Sequence, residues 1–403
     1  MPDSPQRSRV DLGKANRRSV LAEILYNAPI SRTEIAERTG LTGASVSRIT
    51  RDLINAGLVC ESATSEPQKR SGRRLVELTL NPDGGYILGV GMNAFAQWIS
   101  LSGLNNNIIA REELSLDCLK EPEQVLSLVM DKVEVMIQQA GIDRDKVIGG
   151  GIAIGGAVEP QSGKLLFSTT MDWGEVEVAK IMSNRLGIPI CVETLPNALN
   201  LAETRFGVAK GCKNVVLINA SLKMGASLLL DNNLRRGMNY SAGLIGKLRI
   251  HQDQQQSNTP KLLDDVAAGV AVLGQLTGDK TLVSGRRAAE KLMQLRDESM
   301  QGNADVANTF RQSGEMLSQT IDMIVTLLQP EMILIAGPMA TVPAYVHGVL
   351  QSAENSAIDD EDRAQIQVSQ MSSEEAGRML AFNEFLARRD LDLSRLEQVA
   401  AQA

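Results

Sequence analysis

Residues 30–58 read ISRTEIAERTGLTGASVSRITRDLINAGL, and their spacing decides the fold of the N-terminal part. Ser31 with Glu34 three residues later is a capping box that opens a helix. Ile35 and Ala36 supply the apolar side of that helix. Gly40 ends it, and Leu41 follows as an apolar anchor. Thr42 is placed to cap a second helix running to about Asn55. Two short helices joined by a tight turn containing Gly form a helix-turn-helix. At about 100° per residue, Val46, Ile49 and Leu53 share one stripe of the second helix. Its opposite side carries Ala44, Ser47, Arg48, Arg51 and Asn55. Small side chains near the start allow close approach to a DNA major groove, and Arg, Ser and Asn reach base edges or phosphates. An ordinary solvated amphipathic helix has the same two-sided pattern. The caps, the Gly turn and the polar face together favour DNA. The candidate contacts here are Arg32, Thr42, Ala44, Ser45, Ser47, Arg48 and Arg51.

Outward from this stretch, residues 1–11 are polar without periodicity and are expected to form a disordered arm. Lys14 to Asn27 carries Val20, Leu21, Ile24 and Leu25 at helical spacing and reads as a first helix packed behind the pair. Val59-Cys60-Glu61 reads as a short strand. Leu75, Leu78 and Leu80 mark a second strand after a polar stretch that contains Arg70, Arg73 and Arg74 around Gly72. Two strands and a basic loop directly after the second helix form a wing. Arg73 and Arg74 are candidates for contacts to phosphate or in the minor groove. The expected winged helix-turn-helix domain covers residues 12–80.

Charge divides the chain at the same place. Residues 1–80 hold 13 Lys and Arg against 9 Asp and Glu, a net of +4, while the whole chain carries −7, so the other 323 residues carry −11. The basic end suits a polyanion, and the acidic bulk has no such bias. At 403 residues the chain has room for two or three domains. Hydrophobic residues make up 43% and aromatic ones only 3%, so the cores are expected to be aliphatic. No apolar run reaches the roughly 18 residues that cross a bilayer, and no signal-peptide pattern opens the chain. Cys60, Cys118, Cys191 and Cys212 have no regular spacing, which points to reduced, mostly buried thiols. The expected location is the cytoplasm.

Asn81-Pro82-Asp83-Gly84-Gly85 is turn chemistry and marks a boundary. Beyond it, YILGVGM, QWISLSGL and NIIAREELSL read as three successive strands. Pro122 to Ala140 reads as a helix that buries Val125, Leu128, Val129, Val133, Val135, Met136 and Ile137. The alternation then continues with strand VIGGGIAI, helix Val176 to Leu186, strand IPICVET, helix Asn197 to Phe206, and strands NVVLINA and ASLLLDN. Ser313 to Leu328 is the clearest later helix, apolar enough for core or interface, and the strand MILIAG follows it. Ser372 with Glu375 caps a helix to about Arg389. Strands alternating with helices give an α/β architecture with two similar halves.

The order of these pieces resembles the ROK family of repressors and sugar kinases. The segments that carry the likeness are GGYILGV, GIAIGGAV, IPICVETLPNALNLAETRFG, LLLDNNLRRGMNYSAGLIG and LQPEMILIAG, together with the N-terminal helix-turn-helix and the SGRR after it. The resemblance implies a two-lobed, actin-like or ribonuclease-H-type core over residues 81–403. Lobe 1 would cover about 85–195 plus the C-terminal helix, and lobe 2 about 196–370. It places a ligand cleft at Gly156, Glu193, Thr194, Asn197 and Lys247.

The departures from the family pattern are as informative as the matches. Where its kinases have the phosphate loop D-I-G-G-T, this chain has Gly91-Met92-Asn93-Ala94-Phe95. Where they have G-T-G-I-G-A-G, it has Ser221 to Ser227, with Lys223 as a lone cation that more often faces solvent than phosphate. The N-D-A-N motif, whose Asp is the general base, reads Thr194-Leu195-Pro196-Asn197. There Asn197 suits either a ligand or a helix cap. The G-E-I-G-H segment reads Gly243 to Lys247, and no Cys follows between His251 and Asp264. The chain is therefore expected to lack catalytic residues, to hold no metal and to need no cofactor. Leu195 and Leu244 offer nothing to a hydroxyl-rich ligand, for which unpaired polar groups cost about 1–3 kcal/mol each. The expected function is a sequence-specific DNA-binding transcriptional regulator, of the repressor kind, that is not an enzyme. Its partners are double-stranded operator DNA, a second copy in a homodimer or homotetramer, and a small effector or a regulatory protein. A sugar kinase with a DNA-binding arm is the remote alternative. No membrane partner is expected.

Overall fold

A computed structural model of the chain describes residues 5–63, 76–114, 121–250, 259–354 and 364–389. Helix α1 spans Pro5–Asn27, strand β1 Ile30–Ser31, α2 Arg32–Thr39 and α3 Gly43–Asn55. Strands β2 (Val59–Ala63) and β3 (Val76–Leu80) follow and pair antiparallel, with β3 also pairing β1. The capping box is complete: the Ser31 hydroxyl accepts from the Glu34 amide, and the Glu34 carboxylate accepts from the Ser31 amide at 2.9 Å. Gly40 closes α2 at φ +69°, a left-handed position that glycine takes without Cβ strain. Thr42 caps α3 through the Ser45 amide. Val46, Ile49 and Leu53 are buried as one stripe against Val20, Leu21, Ile24, Ile35, Leu58 and Leu78.

The Ser31 amide and hydroxyl both donate to Glu34 Oε2, at 2.9 and 2.8 Å, and hold its carboxyl below the usual range. A depressed folded value adds stability that is full above the unfolded value of about 4.3 and is lost as pH falls through the lower one. Replacing Ser31 by Ala is expected to cost about 1 kcal/mol at pH 7. Faster hydrogen exchange in α2 reads that loss, and the difference from wild type narrows below pH 4.

The expectation of a disordered arm over residues 1–11 is corrected from Pro5 onward, because α1 already includes residues 5–11. Proline suits the first helical turn, where its missing N–H costs nothing, and no second proline interrupts the run. The apolar periodicity that was the only signal read begins later, at Val20. Arg70, Arg73 and Arg74 lie outside the described residues, as do His251 and Cys118.

The core is two sheets of one design. Strands β4 (Tyr86–Met92), β5 (Gln97–Gly103) and β6 (Ile108–Leu114) form an antiparallel meander. Helix α4 (Pro122–Gln139) then leads to β7 (Val147–Ile154), the hairpin β8 (Ala157–Glu159) and β9 (Lys164–Phe167), α5 (Val178–Leu186) and β10 (Ile190–Thr194). Strand β7 joins β4 in parallel and β10 joins β7 in parallel, giving the order β10-β7-β4-β5-β6. Helix α6 (Leu195–Phe206) crosses to the second sheet, whose strands β11 (Val215–Ala220), β12 (Met224–Leu230) and β13 (Asn233–Leu234) repeat the antiparallel run.

A short hairpin, β14 (Arg249–Ile250) with β15 (Lys261–Leu262), and helices α7 (Asp264–Ala267), α8 (Gly269–Thr277), α9 (Gly285–Met300), α10 (Ala304–Glu315) and α11 (Ser318–Leu328) come next. Strand β16 (Met332–Ala336), α12 (Pro343–Glu354) and β17 (Gln365–Val368) complete the second sheet in the order β13-β12-β11-β16-β17. The same strand order with the same directions appears twice. Helix α13 (Ser373–Ala381) then returns to the first sheet and continues as a π-helix, Phe382–Arg388. Among the described residues no helix is long and apolar enough to cross a membrane.

Three local expectations are corrected. Leu128 and Val135 are exposed on α4 (47% and 39%). They lie seven residues apart, on the flank of the helix beyond the buried Val125-Val129-Val133-Met136 face. The helix expected over Ser313–Leu328 is broken at Met316 into α10 and α11. There α10 crosses α12 so closely that a Cβ on Gly314 would lie 2.2 Å from the Tyr345 carbonyl oxygen. Of the three described cysteines only Cys191 is buried; Cys60 and Cys212 are partly exposed.

Candidate nucleic-acid interface and core cleft

Helix α3 presents Thr42, Ala44, Ser47, Arg48, Arg51 and Asn55 to solvent. Among the described residues no side chain of this face has a hydrogen bond or ion pair to the core, and the buried stripe beneath fixes which way it points. Thr42 and Ser45 are partly spent on the cap, with the two hydroxyls 2.9 Å apart. Arg32 differs from the other candidates. Its Nε donates to the buried Thr50 hydroxyl at 3.0 Å and its Nη2 to Glu61 at 2.7 Å, so it braces α2 against α3 and β2. Arginine suits DNA by type, but this side chain has partners inside the domain.

A cleft of about 120 Å³ lies between the two sheets. Asn93, Phe95, Gly156, Thr169, Thr170, Thr194, Leu195, Asn219, Ser221, Lys223 and Leu244 are among the residues lining it. Of the five residues expected there, Gly156 and Thr194 line it. Glu193 is buried (1% exposed). Its Oε2 accepts from Arg236 Nε at 2.9 Å and Nη2 at 2.6 Å, and its Oε1 accepts from the Thr194 amide and from Asn197 Nδ2, both at 3.0 Å. Both oxygens are therefore engaged. Asn197 is neither a ligand-facing amide nor a helix cap; it sits inside α6, which starts at Leu195, and steadies Glu193. Lys247 is exposed on a short 3-10 turn, Ile245–Lys247, and is not among the lining residues. Leu195 and Leu244 do face the cleft. Thr169, Thr170 and Asn219 line it without having been singled out in the sequence. Each sits just beyond or at the end of a strand, where a polar residue carries no distinctive spacing.

Both loops that resemble phosphate loops are filled by the chain's own atoms. The Asn93 side chain accepts from the Phe95 amide at 2.9 Å and the Ala96 amide at 3.2 Å. In a phosphate loop such N–H groups point at the ligand. Gly91 has no room for a side chain: a Cβ there would lie 2.1 Å from Ser373 Oγ and 2.6 Å from the Glu374 amide nitrogen at the start of α13. In the second loop the Met224 amide donates to Asp264 Oδ1 at 2.7 Å. Burial raises the Asp264 carboxyl above its usual range. Lys223 Nζ donates to the Thr169 carbonyl at 3.4 Å. Among the described residues no group of three His, Cys, Asp or Glu is placed to hold a metal.

Comparison with known proteins agrees with this division. A model of the ROK family matches residues 88–383, and a model of winged helix-turn-helix DNA-binding domains matches residues 14–59. The xylose repressor of Caldicellulosiruptor bescii is 30% identical over 240 residues, which is 60% of this chain and 60% of that protein. The chain thus spans less than two thirds of that relative's length. The DNA-binding transcriptional dual regulator NagC of Escherichia coli is 25% identical over 370 residues, 87% of each chain. Among solved structures, a ROK family transcriptional regulator described as a homolog of the E. coli MLC protein superposes with a TM-score of 0.76 at 22% identity, covering 96% of this chain and 99% of that one. A ROK family glucokinase from Streptomyces griseus, in complex with glucose and AMPPNP, superposes at 0.56 with 19% identity over 79% of this chain and all of that one. At these identities the structures show the fold alone.

Proposed function

The chain belongs to the ROK family, and from that premise we propose that it is a sequence-specific DNA-binding transcriptional repressor with a non-catalytic core. The observation that carries the reading is the exposed Ala44–Ser47–Arg48–Arg51 face on a helix whose other side is locked into its own domain. Two such helices, held by paired cores, enter successive major grooves about one helical turn apart or a multiple of it. Arg73 and Arg74 add backbone or minor-groove contacts from the wing. The outward side of α11, where Met323 and Leu327 are 40% and 78% exposed, supports pairing of copies. The proposed domains are the winged module over 12–80 and the two-lobed core over 81–403.

The filled phosphate loops, and Leu195 at the place of the general base, support a core that transfers no phosphoryl group. Its cleft suits an effector less polar than a free sugar, because Leu195 and Leu244 leave hydroxyls unmatched. The alternative of control by a protein partner rests on the same unmatched cleft. A protein working on operator DNA is placed in the cytoplasm.

Selection of bound duplexes from a random pool tests the reading, and recovery of no common sequence would sink it. Arg48→Ala is expected to weaken binding of the selected duplex by about 1–3 kcal/mol. If Arg48 reads a base, the selected sequence relaxes at one position. If it touches phosphate, the loss is uniform across sequences and the salt slope falls by about one.

A further inference from the structure

Tyr26, near the end of α1, is held by both halves of the core at once. Its ring tilts against Phe206, with centroids 5.5 Å apart. The Arg205 guanidinium lies 5.7 Å over the same ring, and Lys210 Nζ donates to the Tyr26 carbonyl at 2.5 Å. These groups sit at or just beyond the end of α6. That helix is fastened to the second sheet by buried Asn200, whose Nδ2 donates to the Val215 carbonyl at 3.1 Å and the Ser227 carbonyl at 3.2 Å. The Tyr26 hydroxyl goes elsewhere and donates to Asn383 Oδ1 at 2.6 Å. Asn383 is on the π-helix that continues α13, and α13 lies directly on the first sheet. One side chain therefore spans a joint between the two halves.

The far end of α6 reaches the cleft, where Thr194, Leu195 and Pro196 are lining residues. Between these ends the helix is 12 residues long and buried at nine of them, a rod of about 18 Å. An apolar cavity of about 280 Å³, lined in part by Leu25, Pro29, Phe206, Met379 and Phe382, lies beside the joint and gives it room to re-seat.

We infer that Tyr26 couples the angle between the two halves of the core to the position of the winged domain, with α6 carrying a change at the cleft to the joint. If the halves rotate, the ring contact and the hydroxyl bond cannot both persist. Loss of the ring contact leaves α1 with the first half, where Arg18 Nη1 also donates to the Arg388 carbonyl at 3.2 Å; loss of the hydroxyl bond weakens that hold. Packed interfaces switch between discrete arrangements rather than deforming continuously. The inference rests on the DNA-binding reading for its output but not for the coupling itself.

A double-mutant cycle on the full chain tests it. Leu195→Trp fills the cleft, and Tyr26→Phe removes one hydroxyl while keeping the ring. The two sites lie at opposite ends of α6, and distant sites without coupling give additive effects. Leu195→Trp is expected to change the dissociation constant for the selected duplex by about fivefold or more, and by less than about twofold in the Tyr26→Phe background. Hydrogen exchange of α1 amides, measured without DNA, should respond to Leu195→Trp in the same pattern. Should that variant lose cooperative melting, Leu195→Ala, which enlarges the cleft, takes its place in the cycle. Additive effects with unchanged α1 exchange overturn the coupling, and so do cleft variants that behave as wild type. A coupled change in α1 exchange with no selected duplex would uphold the coupling and remove the DNA-binding reading instead.

Discussion

Gly151→Ala is expected to destabilise the core by about 3 kcal/mol or more. A Cβ at position 151 would sit 2.0 Å from the Gly377 carbonyl oxygen and 2.8 Å from the Ala381 amide nitrogen. Those are backbone atoms of α13 and cannot swing aside as a side-chain end would. The facing residue is also glycine: a Cβ on Gly377 would lie 2.6 Å from the carbonyl oxygens of both Gly151 and Val90. Helix and sheet thus touch backbone to backbone, and one methyl must lift α13 off β4 and β7. Doing so opens the core around Met379, Phe382 and Leu386, all within 2% of full burial. Overpacking of this kind costs about 3 kcal/mol or more, a large share of the roughly 5–15 kcal/mol that holds a domain together. Urea unfolding followed by circular dichroism reads it. Gly174→Ala is the control, since nothing lies within 4 Å of its Cβ position, and it should shift stability by no more than about 0.5 kcal/mol.

The second large effect is expected from Arg236→Met. Glu193 has a 2% exposed side chain, and Arg236 is its cationic partner at 2.6 Å. Without the guanidinium, a buried carboxylate keeps only the Thr194 and Asn197 donors on one oxygen and none of its described partners on the other. Removing one member of a buried pair costs about 3–5 kcal/mol. Arg236 is itself 26% exposed, so water entering from its side places the loss at the lower end. Adding Glu193→Gln to Arg236→Met removes the stranded charge while keeping an acceptor for Thr194 and Asn197, and should restore much of the stability. A double variant no more stable than Arg236→Met would show that the guanidinium matters for packing rather than for charge.

What could be read from the sequence is what is encoded locally. The helix-turn-helix is legible in Ile30–Leu58 because its signals, Ser31 with Glu34 and Thr42 with Ser45, close bonds within three residues. The alternating strands of the core were legible for the same reason. Side-chain roles set by distant partners were not. Glu193 and Asn197 looked like ligand-facing groups until Arg236, 43 residues beyond Glu193, closed on the carboxylate. Arg32 looked free until Glu61 paired with it across 29 residues. The break between α10 and α11 lies beside the close crossing of α10 with α12 at Gly314 and Tyr345, a partner outside residues 313–328. Tyr26 had no signal at all, because its importance lies in which two elements meet at its ends.

Gly91 has a consequence beyond packing. The resemblance sets it where kinases of the family carry the metal-positioning Asp. Here the start of α13 occupies the volume an Asp side chain would need, with Ser373 Oγ 2.1 Å from the missing Cβ. Gly91→Asp would drive its side chain into that helix, so the protein that bears it would be less stable. Room for an acid at this position needs α13 to withdraw first. No single substitution at position 91 therefore places a carboxylate in this loop: helix and loop would have to move together.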